Sequence, residues 1–155
     1  MLETGQLILK TSQGGRVEIA SPGRPLGFAL PAGGVFERAF HPAWEIFETE
    51  DSPLVFSMKR EKWLGNLWKV RDSEELLVGQ VERHSLFLQL TGEDFLVRWG
   101  EGRFQIVKNG QVTMALGKTQ GHLLELSFTG MEGTVTSPFF RMLALAWGIL
   151  EIGRS

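Results

Sequence analysis

Cysteine is missing from all 155 residues, and with it go disulfides, thiolate nucleophiles and Cys-ligated zinc or iron–sulfur centres. A strong charge of either sign is missing too. Lys and Arg total 16 against 18 Asp and Glu, a formal net charge of -2. Such a balance exerts no general pull on nucleic acid or an anionic membrane, so binding of that kind must come from a local patch. The opening MLETGQLILK has no basic stretch followed by a long apolar run. No secretory leader is therefore expected, and a reducing cytoplasm is the expected compartment.

The usual signatures of catalysis are also lacking. The three histidines, His41, His84 and His122, lie far apart without ligand-type spacing and read as surface or structural residues. No G-x-S-x-G and no repeated Asp pattern occurs. Gly117-Lys118-Thr119 resembles the end of a phosphate-binding loop, but Val112 stands where the first glycine is needed and the strand-like HLLELSF follows, so these residues read as a turn. Carboxylates such as Glu48, Glu50 and Asp51 cluster beside a turn, where they are expected to be solvated. No catalytic residue, cofactor or metal ligand is assigned.

What is present describes one globular domain over residues 1–155, with 43% hydrophobic and 22% charged residues. Nineteen glycines and turn signals from Gly14-Gly15 to Gly130 punctuate the chain at the roughly 8–12-residue spacing of an all-β sandwich or barrel. Before Ser137 no interval shows sustained helical periodicity. Leu54, Phe56 and Met58 alternate with Ser57 and Lys59, as do Phe95, Val97 and Trp99 with Leu96 and Arg98, and Leu124, Leu126 and Phe128 with Glu125 and Ser127. Alternation of this kind places one strand face on a core and the other in water.

Asn109-Gly110 is the strongest hairpin signal. A strict two-residue loop there would split the apolar residues between the two faces, Phe104 and Ile106 on one and Val112, Met114 and Leu116 on the other, so a bulge is expected nearby. A weak internal repeat joins Ile19 to Leu26, Phe47 to Leu54 and Val70 to Leu77, each pair seven residues apart across turn formers. It admits two readings, an ordinary meander or a repeated strand–turn–strand unit.

The segment SPFFRMLALAWGILEIGRS has a different pattern. Ser137 suits a helix cap, Pro138 the first helical position and Gly153 the stop. The intervening residues are apolar all round, which requires burial in protein or in a bilayer. From Pro138 to Ile152 the helix spans about 22 Å against a bilayer core of ~30 Å. A helix inside the domain core is the expectation, with Arg141 and Glu151 at the two rims.

One stretch stands out electrostatically: KREKWLGNLWKVR, residues 59–71. Lys59, Arg60, Lys62, Lys69 and Arg71 surround Trp63 and Trp68 with Glu61 as the single acid. Cations interleaved with indoles suit phosphates beside a greasy or stacking surface, in a lipid headgroup interface or a single-stranded nucleic acid. The structural alternative is a hairpin with a charged exterior and its tryptophans packed inward. Lys59, Arg60, Lys62, Trp63, Lys69 and Arg71 are the candidate binding residues.

In their order, VEIASPGRPLGFA (residues 17–29), FETEDSPLVFSMKR (47–60), WKVRDSEELLVGQV (68–81) and RMLALAWGILEI (141–152) resemble the superfamily of tubby C-terminal domains, phospholipid scramblases and LURP-one-related proteins. The resemblance covers residues 16–152. It implies a closed antiparallel barrel of about twelve strands around the C-terminal helix. With the lipid associations of those proteins, the leading expectation is a cytoplasmic protein, peripheral to a membrane, that binds phospholipid headgroups or another phosphorylated amphiphile without catalysis. The other two functions in view are an enzyme whose acid and base groups converge from separate strands, and a nucleic-acid-binding domain using Trp63, Trp68 and their basic neighbours.

Overall fold

The computed structural model describes residues 1–62, 65–109, 112–129 and 138–153. Twelve strands run in chain order: β1 Gln6–Thr11, β2 Val17–Ser21, β3 Arg24–Ala32, β4 Ala43–Phe47, β5 Leu54–Lys59 and β6 Trp68–Asp72, then β7 Leu77–Val81, β8 Ser85–Leu88, β9 Glu93–Gly100, β10 Arg103–Lys108, β11 Val112–Gln120 and β12 Leu123–Phe128. Each pairs antiparallel with the next, and β12 returns to β1 to close the barrel. Closure leaves no unpaired edge to aggregate. A short helix α1, Val35–Phe40, lies between β3 and β4, and the long helix α2, Pro138–Gly153, ends the described chain.

A barrel of this many strands is too wide for its own side chains to fill. A helix of about 10–12 Å diameter is the right plug, and α2 occupies that space, packed against β1, β6, β7, β8 and β12. Its Leu143, Leu145 and Ile149 are fully buried among inward residues such as Leu9, Phe56, Val70 and Leu124. Among the described residues no polar or charged side chain is buried. The expected helix over 138–152 thus ends at Gly153, and the cap assigned to Ser137 lies outside the described residues. Arg141 sits near one rim, donating to the Thr4 carbonyl at 2.5 Å and lying over the Phe128 ring. Burial pushes its pKa below the ordinary value, against the pull of Glu3. Trp147, 1% exposed, donates its indole N–H to the Arg83 carbonyl at 2.9 Å.

The weak repeat has a structural counterpart. The hairpins β2–β3, β4–β5 and β6–β7 each carry a register shift, at Ile19/Ala20, Ile46/Phe47 and Val70/Arg71 respectively. Three bulged strand–turn–strand units therefore recur where the seven-residue spacing occurs. The following glycine is a matter of space: a Cβ on Gly79 would lie 2.1 Å from the Phe87 carbonyl oxygen and 3.1 Å from Leu143 of α2. The backbone of β7 can approach β8 and the helix this closely only without a side chain.

Two expectations from the sequence are corrected. Gly117, Lys118 and Thr119 are not a turn but part of β11, and a Cβ on Gly117 would stand 2.0 Å from the Glu125 backbone carbonyl oxygen and 2.5 Å from the Phe104 ring. That glycine serves packing. Helix α1 was not anticipated, since six residues are too few to show periodicity; Gly34 precedes it and His41-Pro42 ends it. The expected bulge near Asn109 is present between Ile106 and Val107. It sets Ala115 opposite Ile106 and turns Leu116 out to solvent.

Candidate functional site

Strands β5 and β6 are neighbours, and their register decides how the basic residues of 59–71 meet. Phe56 and Met58 point inward, so Ser57 and Lys59 point out. On β6, Trp68 and Val70 are buried, which turns Lys69 and Arg71 outward. Lys59 pairs directly with Lys69, and Ser57 with Arg71. Three cations thus share one patch of the barrel exterior.

Like charges directly opposite repel across a sheet, and Glu61 relieves this. Its two oxygens lie 3.1 Å from Lys69 Nζ and 2.9 Å from Arg71 Nη2. Hydrogen bonds from Arg71, then from Lys69, hold the Glu61 carboxyl below its ordinary pKa. Two of the three cations therefore share one carboxylate, which offsets only one of their two charges. Lys59 and Lys62 are exposed, and no carboxylate among the described residues pairs with either.

Arg60 behaves differently from its neighbours. One residue past Lys59, it takes the inward register at the rim, and its N–H donates to the Pro42 carbonyl at 3.0 Å. There it lines an open depression of about 260 Å³ with Pro42, Trp44, Asn66, Trp68, Leu150 and Gly153. Its Nε has no hydrogen-bond partner among the protein atoms, a condition that costs free energy unless a ligand, an ion or an ordered water supplies an acceptor. Trp44 pairs with Met58 on the inner row, and Trp68 with Val81, and both line the depression together with Arg60.

The six sequence-derived candidates divide accordingly. Lys59, Lys69 and Arg71 converge on the outer face, Arg60 turns into the rim depression and Lys62 stands in the β5–β6 connection. Trp63 lies outside the described residues. Trp68, considered for base stacking, is 8% exposed and packs into the core, so it offers no free face to a nucleobase. The sequence reading missed Trp44. Its partnership with Arg60 depends on β4–β5 register, which no local motif encodes.

A second depression, of about 450 Å³, lies beside the end of α2 and is lined by Arg83, His84, Trp99, Thr119, Gly121 and Glu151. It joins the β7–β8 and β11–β12 connections to the helix. His41 closes α1 through its backbone and His122 lies in the β11–β12 turn, so the three histidines sit on three separate connections. Glu48 faces the N-terminal ammonium at 3.8 Å and Glu50 pairs with Arg16 at 2.7 Å. Comparison with models of protein families, with curated protein sequences and with solved structures finds no match.

Proposed function

We propose that this chain is a non-catalytic binding module for a phosphorylated amphiphile, and that a phospholipid headgroup is the ligand class. The observation that carries this reading is Arg60, whose Nε lacks an acceptor inside a depression walled by Trp44 and Trp68. The guanidinium matches a phosphate oxygen, the partly buried Trp44 indole matches an apolar stem, and Lys59 and Lys62 add unpaired charge alongside. The barrel interior supports the same reading by elimination: α2 fills it, so a ligand must be met at the rim or on the outer surface. The ordered motifs that resemble tubby-like and scramblase-like proteins agree with a headgroup ligand.

Isothermal titration with short-chain phosphatidic acid, against the matching diacylglycerol, tests it. Phosphatidic acid should bind with an affinity that declines as salt rises. The triple variant K59Q/R60Q/K62Q should lose that binding while melting as a folded protein. Equal affinity for the unphosphorylated lipid, or an unchanged titration in the triple variant, would overturn the assignment. A single-stranded oligonucleotide competing at the same residues would move it to nucleic acid.

The enzyme reading has one observation in its favour, the placement of His84 and Glu151 around one depression. Turnover of a generic ester or phosphoester that H84A and E151Q both abolish would establish it.

A further inference from the structure

Helix α1 is exposed along its whole length: none of its six residues is buried. Val35 is 86% and Phe36 81% exposed, an arrangement water disfavours and globular surfaces rarely keep side by side. The sequence VFERAF sorts them further. Val35 and Ala39, and Phe36 and Phe40, stand at i, i+4 and share the apolar side of the turn, while Glu37 and Arg38 take the other. The turn is held by its own backbone, from Arg38 N to Gly34 O at 2.9 Å and from His41 N to Glu37 O at 2.6 Å. Arg38 Nε also donates to the Gly33 carbonyl at 3.0 Å. It is a preformed apolar projection.

Its position joins it to the basic residues. The β3–β4 connection that carries α1 and the β5–β6 connection that carries Lys62 leave the barrel at the same end. They are tied where Arg60 N meets the Pro42 carbonyl, two residues beyond α1. Arg38, Lys59, Arg60 and Lys62 therefore border the projection, against Glu37 and a Glu61 already engaged by Lys69 and Arg71. We infer that α1 inserts into the interface of an anionic bilayer, with Val35 and Phe36 entering the acyl boundary while the bordering cations meet headgroups. The inference deepens the headgroup reading and rests on it for the electrostatic part.

Area and shape favour a bilayer over a protein. The exposed surface of Val35 and Phe36 is on the order of 300 Å², well short of the ~800 Å² per partner of a stable protein interface. A bilayer takes up a small convex apolar tip without a matching groove, and each cation near an anionic surface multiplies affinity roughly fivefold. Apolar insertion and surface charge together give reversible attachment.

The experiment uses the full chain and two vesicle types, phosphatidylcholine alone and phosphatidylcholine with about a third phosphatidylserine. Wild type should co-sediment with the anionic vesicles, much less with the neutral ones. The variant V35S/F36S should lose about a hundredfold or more in vesicle affinity, the worth of two inserted apolar side chains, while its melting midpoint and its titration with short-chain phosphatidic acid stay as in wild type. The chain has no cysteine, so Ala39→Cys accepts a single environment-sensitive fluorophore on α1, which should shift to the blue on anionic vesicles. Unchanged sedimentation of V35S/F36S, or a label that stays water-like on bound vesicles, overturns the insertion whatever the phosphatidic acid titration shows. A dimer that V35S/F36S dissolves also overturns it, since α1 then closes on a second copy. Loss of phosphatidic acid binding in K59Q/R60Q/K62Q alone bears on the headgroup reading and leaves the insertion measured separately.

Discussion

Glu61 is the acid that sets the electrostatic balance of the candidate site, and its replacement separates charge from fold. It is 38% exposed, and Lys69 and Arg71 are about as exposed at 33% and 31%, so solvent screens the triad and its worth to stability is at most about 1 kcal/mol. Its pKa is lowered on folding from the ordinary value of 4.5. A lowered carboxylate pKa adds stability at pH above the unfolded value, and that contribution is lost as pH falls through the folded one. Glu61→Gln should therefore cost a fraction of a kcal/mol at neutral pH, and the difference from wild type should vanish in acid, as chemical denaturation across pH would show. The same variant frees Lys69 and Arg71 and should tighten binding to phosphatidylserine vesicles severalfold. Unchanged or weaker vesicle binding would mean that the outer cations take no part.

At the level of elements, α2 is the part the barrel cannot do without. Phe140, Met142, Leu143, Leu145, Trp147, Ile149, Leu150 and Ile152 are all buried. At ~1.5–3 kcal/mol each, their gross burial is roughly 12–24 kcal/mol, an upper bound comparable to or larger than the ~5–15 kcal/mol net stability of a domain. Truncation after Ser137 should therefore leave a chain without a cooperative melting transition. Leu145→Asp places a charge where exposure is 0% and should be nearly as damaging by circular dichroism. A truncated product that stays soluble and melts cooperatively would show that the strands close without their plug. Helix α1 is the opposite case: with no buried residue, polar substitution of Val35 and Phe36 should shift stability by no more than about ±0.5 kcal/mol.

For the whole molecule, the decisive contact is the pairing of β1 with β12, Leu9 opposite Leu124 and Leu7 opposite Leu126. The two strands lie more than a hundred residues apart in the sequence, and α2 must enter from still further along the chain. Long-range closure of this kind is slow because loop entropy is lost before contacts form. Refolding from denaturant should fall in the millisecond-to-second range rather than in microseconds, with one unfolding transition by fluorescence and circular dichroism alike. Noncoincident transitions would mean that part of the barrel opens on its own.

Much of this architecture was legible in the residues. Alternation placed Phe56, Met58, Leu124, Leu126 and Phe128 inward, and an all-round apolar segment too short for a bilayer had to be a core helix, because such patterns are local and hydrophobic burial reads them directly. The bulge before Asn109 followed from the same rule. The split of the basic segment did not: Lys59, Lys69 and Arg71 meet only because β5 and β6 are neighbours in a fixed register, and Glu61 pairs with two of them only through that register. Arg60 against Trp44 and Trp68, and α1 beside those cations, likewise depend on which strands adjoin and which ends of the barrel the connections share. Which side of a strand or helix is apolar is set by neighbours along the chain. Which side chains converge is set by contacts between distant segments, and no short stretch of sequence carries that information.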